Sequence, residues 1–179
     1  SLQAHIPCGS LVASRYAIGM DGLLNYYRHG EQGFLADMQE AFVAHMTAEE
    51  RATTWFEGLP KPYCVECSEG MLGMLTAEGL HQGITVTAAG FYGPQGRTIR
   101  LSPAIDRLNE RLAAFSWKGI PITNLEMETS AIYGFAKALG HEALTVCLII
   151  ANRPTGLFLN DYHAPMRQAI GQILETMAL

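Results

Sequence analysis

The stretch Ile122-Thr-Asn-Leu-Glu-Met-Glu-Thr-Ser130 decides the fold. Its first half, Ile122 to Leu125, reads as the end of a strand. Beyond it, Ala131, Ile132, Phe135, Ala136 and Leu139 recur at helical spacing, and Gly140 is a natural stop. Glu126 and Glu128 therefore fall at a strand-to-helix junction. In open α/β sheets, ligands bind at the carboxyl ends of strands. Met127 separates the two carboxylates, so they need not point the same way. A simpler role for Glu128, complementing the positive end of the helix, stays open on this stretch alone.

Upstream of this junction, Gly9 to Ala17 reads as a strand, and Phe34 to Met46 carries helical spacing at Leu35, Met38, Phe42 and Val43. Thr47 with Glu50 resembles a capping box for a short helix to Trp55. Glu69 to Leu80 reads as a helix and Gly83 to Ala89 as a short β-branched strand. Ser102-Pro103 has the form of a helix start, with Ser as cap and Pro at the first position. The core face of that helix would be Ile105, Leu108, Leu112 and Phe115. Downstream, Leu144 to Ala151 is the most apolar strand, expected to be central and covered on both faces. Arg153 to Asn160 reads as a loop, and a final helix would bury Met166, Ile170, Ile173, Leu174 and Met177. Strands alternate with helices in the second half. The expected fold class is α/β: a layered helix–sheet–helix arrangement with a mixed, largely parallel central sheet, in one domain over residues 1–179.

Composition limits the function. Hydrophobic residues make up 49% of 179 and charged residues 16%, enough for a packed core. A net charge of -5 without a basic run disfavours nucleic acid and anionic membrane as partners. The most apolar stretch, Ala143 to Ala151, is far short of the ~20 residues a membrane helix needs. Cys64 and Cys67 form a C-x-x-C pair without a second Cys or His pair, so reduced structural thiols in a cytoplasmic protein are expected, with no metal site.

The loop Phe91-Tyr-Gly-Pro-Gln-Gly-Arg97 follows the strand ending at Ala89 and so reaches the same edge as the Glu-Met-Glu junction. Its glycines, at 90, 93 and 96, lack the dinucleotide-binding spacing. Phe91 offers a flat face, Gln95 an acceptor and a donor side by side, and Arg97 several donors. Uracil presents an N–H flanked by two carbonyls, which such a set would match. An exposed turn with Phe91 tucked into the core is the plainer alternative.

Taken together, Phe-Tyr-x-x-Gln-x-Arg, Leu-Glu-Met-Glu-Thr-Ser and Ala151-Asn152-Arg153 resemble, in order and spacing, the uridine-cleaving branch of the nucleoside phosphorylase family. The resemblance implies reversible phosphorolysis of uridine to uracil and ribose 1-phosphate. It implies that Phe91 stacks on the base, that Gln95 binds O2 and N3–H, and that Arg97 binds O4, with Arg153 supporting that end and Ile150 and Ala151 lining the wall. Glu128 would bind the ribose hydroxyls, with Met127 against the sugar and Glu126 on the pocket floor. Inorganic phosphate would be co-substrate, with no metal or organic cofactor, and the assembly a homodimer building to a hexamer. The family's glycine-rich phosphate loop would lie just before Ser1. The phosphate-binding residues are therefore expected upstream, and the chain is expected to be the C-terminal part of a longer protein. Two other readings remain. One is a purine nucleoside phosphorylase or nucleosidase, which the family builds with an Asp where this chain has Asn152-Arg153. The other is a non-catalytic nucleoside-binding protein.

Overall fold

The structure, a computed structural model, describes residues 1–28, 34–48, 50–75 and 80–178. In chain order the elements are β1 (Leu11–Gly19), α1 (Ala36–Met46), α2 (Glu50–Glu57), β2 (Tyr63–Glu66), α3 (Glu69–Leu75), β3 (His81–Thr87), α4 (Leu108–Ala114), β4 (Ser116–Trp117), β5 (Ile120–Glu126), α5 (Thr129–Leu139), β6 (Val146–Leu148), β7 (Ala151–Asn152), β8 (Leu157–Phe158) and α6 (His163–Met177). The central sheet runs β2-β1-β3-β5-β4. The β1/β3 and β3/β5 pairings are parallel and long, while β2, β4 and β6 pair antiparallel. The sheet is thus mixed with a parallel centre, as expected.

Two apolar layers cover it. On one face Tyr16, Ile18, Ile84, Val86 and Ile122 meet Met38 and Phe42 of α1, Phe56 of α2 and Leu108 and Leu112 of α4. Phe42 sits edge-on to Phe56 and to Phe115, with ring centroids 6.0 and 5.3 Å away, the geometry that aromatic quadrupoles favour. On the other face Ala13, Ala17 and Val65 meet Leu24, Leu72 and Tyr133 of α5. The Tyr133 hydroxyl donates to the Ser14 carbonyl at 2.7 Å and accepts the Thr145 N–H at 2.8 Å. It thereby ties α5 to β1 and to the approach into β6.

Several elements differ from the sequence expectation. Leu144 to Ala151 is not a central strand. Its strand portion is β6, which pairs antiparallel with Leu11–Ala13 on the same edge of β1 that receives β2 further along. The residues from Leu144 to Leu148 are half-buried. From Val146 onward the apolar character serves a cavity wall rather than double coverage, while Leu144 packs against the layer of Ala13 and Tyr133. The helix expected from Ser102 begins only at Leu108, because Arg107 takes a left-handed φ of 57° that no helix interior accepts. Ile105, Leu108, Leu112 and Phe115 are nevertheless all buried. In α6, Ala169 is buried but Ile170, Leu174 and Met177 are exposed. Arg153 to Asn160 is not an irregular loop: β7 and β8 form a hairpin, with Ala151 opposite Phe158. Of the helix expected over Glu69 to Leu80, residues 76–79 lie outside the described residues, as does the Glu50 side chain of the expected capping box.

A register irregularity shapes the functional edge. Ile122 pairs with Ile84, but Asn124 pairs with Thr85, so Thr123 is an extra residue in β5. Gly83 makes room for it: a Cβ there would lie 2.1 Å from the Thr123 hydroxyl oxygen. After the bulge, Asn124 and Glu126 stand directly beside Thr85 and Thr87.

Candidate nucleoside site

At the carboxyl ends of β3 and β5 lies a cavity of about 620 Å³. All nine base- and ribose-binding residues expected from the sequence line it: Phe91, Gln95, Arg97, Glu126, Met127, Glu128, Ile150, Ala151 and Arg153. The wall from Val146 to Ala151 completes one side, with Asn124 and Leu125 on the floor and Phe158 and Met166 near the rim. Phe158 is exposed.

One end of the cavity gathers the hydrogen-bonding groups of the Phe91–Arg97 loop. Gly96, with φ of 70°, closes the short 3-10 turn Gly93–Gln95 and lets the chain reverse. Gln95 is thereby turned inward and is only 3% exposed. Its Oε1 accepts from Arg97 at 2.6 Å and from Arg153 at 2.9 Å, and Arg153 also donates to the Gln95 carbonyl at 2.5 Å. Two guanidinium donors therefore fix the amide: the reversed orientation would set an NH2 against both. Burial, and then the like charge of Arg97, lowers the Arg153 pKa to about 10, so Arg153 stays cationic at neutral pH. Burial lowers that of Arg97 too. Arg97 also donates to the Phe91 carbonyl at 2.5 Å and lies over the Phe91 ring, 3.8 Å from its centroid. The plainer alternative for Phe91, a ring tucked into the core, does not hold, since Phe91 is half-exposed.

The other end holds the paired glutamates, and they differ. The Glu128 side chain is exposed and has no hydrogen-bond or ion-pair partner among the described residues. Glu126 is bonded throughout. Its Oε1 accepts from the Thr87 hydroxyl at 2.6 Å, and its Oε2 accepts the N–H groups of Glu128 and Thr129 at 2.8 and 2.7 Å.

Sequence reading missed the polar residues beneath these groups. Thr85 and Thr123 both donate to Asn124 Oδ1, at 3.2 and 2.8 Å, and Ser14 meets Thr85 at 2.6 Å. The signal was the alternation in Thr85-Val-Thr87: two hydroxyls on one face of the buried part of a strand require partners. The holding role of Asn152 was missed as well. Its Nδ2 donates to the carbonyls of Gln3 and Ile6, and its Oδ1 accepts from Thr155, so it pins the β7–β8 hairpin to the N-terminal segment.

Tyr63 extends the network. Its hydroxyl donates to Asp21 Oδ1 at 2.8 Å and accepts from Ser130 Oγ at 2.9 Å, because the Asp21 carboxylate can only accept. Burial raises the Tyr63 pKa well above the ordinary tyrosine value. The ring packs against Gly19, where a Cβ would be 2.3 Å from it. Tyr63→Phe leaves Asp21 and Ser130 without this partner. It is expected to lower stability by about 1–3 kcal/mol, read by denaturant unfolding; an unchanged midpoint would mean that the hydroxyl contributes nothing.

A second cavity, also about 620 Å³, lies on the other side of the loop, lined by Met20, Trp55, Leu59, Tyr92, Ile99 and Leu101 and sharing Arg97. It has no carboxylate among its described lining residues. Cys64 and Cys67 are buried free thiols whose pKa values burial pushes up to about 12 and about 11. No group of three or more His, Cys, Asp or Glu among the described residues could hold a metal ion. No helix among them is long and apolar enough to cross a membrane.

The chain is similar in sequence and fold to known proteins. The profile of the phosphorylase superfamily fits residues 1–174. The uridine phosphorylase of Haemophilus influenzae is 24% identical over 155 residues, covering 86% of this chain and 50% of that protein. The uridine phosphorylase of Thermococcus kodakarensis is 24% identical over 164 residues, covering 88% of this chain and 47% of its own. The chain thus spans about half the length of these curated relatives. Among solved structures, a Trypanosoma brucei nucleoside phosphorylase described as showing uridine phosphorylase activity superposes with a TM-score of 0.79 at 25% identity, over 99% of this chain and 60% of that one. With a profile match over nearly its whole length and this fold beneath it, the chain belongs to the phosphorylase superfamily.

Proposed function

We propose that this chain carries the nucleoside-binding half of a uridine phosphorylase, which cleaves uridine with inorganic phosphate to uracil and ribose 1-phosphate. One observation carries the reading: a carboxamide clamped between two guanidinium groups, Gln95 between Arg97 and Arg153, stands in the same cavity as the unpaired carboxylate of Glu128. In the reaction the C1′–N1 bond breaks, its electron pair moves onto the base, and a phosphate oxygen bonds C1′. Charge grows on the uracil oxygens, where donors held in place beforehand stabilise the transition state by a few kcal/mol each. Arg97 would leave the face of Phe91 and Gln95 Oε1 to donate to O4. The base would take its place on the ring, and N3–H would bond the lone pair released. Arg153 stays, holding the amide. Met127, Ile150 and Ala151 supply the apolar wall.

The experiment is phosphate-dependent release of uracil from uridine, with inosine and cytidine alongside, on the protein in its native length. Uracil release that needs phosphate supports the proposal. Tight uridine binding without turnover would favour the non-catalytic reading, and preferred cleavage of inosine the purine one. Against the purine reading, Asn152, at the place of that branch's acid, is 2% exposed, and among the described residues its side chain bonds only to backbone carbonyls of the N-terminal segment and to Thr155. The proposed reaction uses no metal or organic cofactor. We infer a homodimer building to a hexamer, measurable by light scattering. The four free thiols suit a reducing compartment such as the cytoplasm.

On this reading Glu128→Gln is expected to reduce uridine turnover by about 1–3 kcal/mol, the range for a charge-assisted hydrogen bond. The loss should be smaller for 2′-deoxyuridine, which has one hydroxyl fewer to hold. Equal losses on both sugars would remove Glu128 from ribose recognition.

A further inference from the structure

We infer that Glu126 is a positioning residue: it sets the backbone from which Glu128 reaches the ligand, and does not itself hold the sugar. The inference rests on the nucleoside reading above, but its geometric part can be tested without a ligand.

The two glutamates are chemically identical and two residues apart, yet their surroundings divide the work. Both lone-pair directions of Glu126 Oε2 are taken by the N–H groups of Glu128 and Thr129, at 2.8 and 2.7 Å. Oε1 is held by the Thr87 hydroxyl at 2.6 Å. That hydroxyl is committed, because it also accepts the Ser130 N–H at 2.9 Å and so turns its proton to the carboxylate. The Ser130 hydroxyl continues to Tyr63 and Asp21. One line of hydrogen bonds thus links the end of β1, β2, α5, β3 and β5, with a carboxylate at each end that can only accept. Glu126 also stands at the N-terminus of the eleven-residue α5, which favours its negative charge. A direct bond from Glu126 to a ribose hydroxyl has only the second lone pair of Oε1 left to use. Glu128 gives up nothing: its N–H is anchored on Glu126, its carbonyl accepts the Ile132 N–H at 3.1 Å, and its carboxylate lines the cavity unpaired.

The test uses the native-length protein, with uridine affinity measured by calorimetry and the exchange of the Glu128 and Thr129 amide hydrogens followed by NMR. Glu126→Ala should lose at least about tenfold in affinity and speed exchange at both amides. Glu126→Gln keeps an acceptor for the two amides and a donor for Thr87, so it should restore most of that loss and the protection. Glu128→Gln should lose at least about tenfold with exchange unchanged. The double variant Glu126→Ala/Glu128→Gln should be little worse than its weaker-binding parent, since the two act as a unit. Glu126→Gln losing as much affinity as Glu128→Gln would overturn the inference in favour of direct contact, as would exchange that Glu126→Ala leaves unchanged. If the parent protein binds no uridine while the exchange pattern holds, the nucleoside reading fails and the positioning role stands.

Discussion

Gln95→Leu is expected to reduce uridine turnover by at least about 100-fold and to destabilise the protein by about 1–3 kcal/mol. The first effect follows from chemistry: leucine fills the space but offers no acceptor to N3–H and no donor to a carbonyl. The second follows from burial. From the sequence, the loop holding Gln95 reads as lying outside the core, which predicts an intact fold. The structure corrects that, because Gln95 is 3% exposed and its Oε1 is the acceptor for both Arg97 and Arg153. Arg153, withdrawn from water far enough to lower its pKa to about 10, would keep only the Gln95 backbone carbonyl. Turnover and urea unfolding measured on one preparation separate the two effects. A leucine variant that turns over uridine normally would remove Gln95 from the site, and one of unchanged stability would show that the clamp contributes no stability.

The legible parts of the fold were those where one local signal has one physical meaning. The Ile122–Ser130 stretch announced a strand, a polar junction and a helix, and it folds as β5 and α5. The apolar positions of α1 are buried at Met38 and Phe42, as their spacing requires. The apolar run from Leu144 to Ala151 misled because an apolar residue has two reasons to exist. In a central strand it is covered by helices; here the run lines a cavity from Val146 onward, and β6 lies at an edge of the sheet. Periodicity does not separate those cases. The stripe of α6 misled in a related way: Ile170, Leu174 and Met177 have helical spacing but are exposed. The Ser102-Pro103 helix start failed for a conformational reason. The signal was good, but the left-handed turn at Arg107 breaks the path between it and the helix.

For the candidate site, sequence named the groups that face the cavity and missed those that hold them. Phe91, Gln95, Arg97, Glu126, Glu128 and Arg153 stood out because their chemistry matches a ligand. Thr85, Thr87, Asn124, Ser130 and Tyr63 look ordinary until β1, β3 and β5 are brought side by side. The Thr123 bulge is what aligns Thr87 with Glu126, and nothing in the local sequence marks it. The division of labour between the glutamates likewise depends on partners 39 residues away in sequence.

Uridine is expected to be preferred over cytidine by a factor on the order of 10⁴, the lower end of the discrimination that sites built for buried polar pairing reach. Arg153→Met should reduce that ratio by at least about tenfold. Uracil's edge reads acceptor, donor, acceptor. Gln95 offers a fixed donor and acceptor, and Arg97 supplies the third partner. Cytosine lacks the N3 proton and carries an amino group in place of O4. Its N3 would face Gln95 Oε1, acceptor against acceptor, and its amino group would face the Arg97 guanidinium, donor against donor. A free carboxamide could only shift that conflict by turning over, since its NH2 would then suit N3 while its oxygen faced O2. Gln95 is not free, since turning would set its NH2 against the guanidinium of Arg153, which now bonds Oε1 at 2.9 Å. Arg153 is thus expected to set selectivity through the orientation of Gln95. Methionine there fills much of the volume and donates nothing, so uridine loses its prearranged partner, while cytosine, mismatched with the amide in either orientation, loses little. Competition between the two nucleosides in one reaction reads the ratio directly for the parent and variant proteins. A ratio unchanged in Arg153→Met would show that something other than Arg153 fixes the amide, and equal use of both nucleosides by the parent protein would end the uracil reading of this cavity.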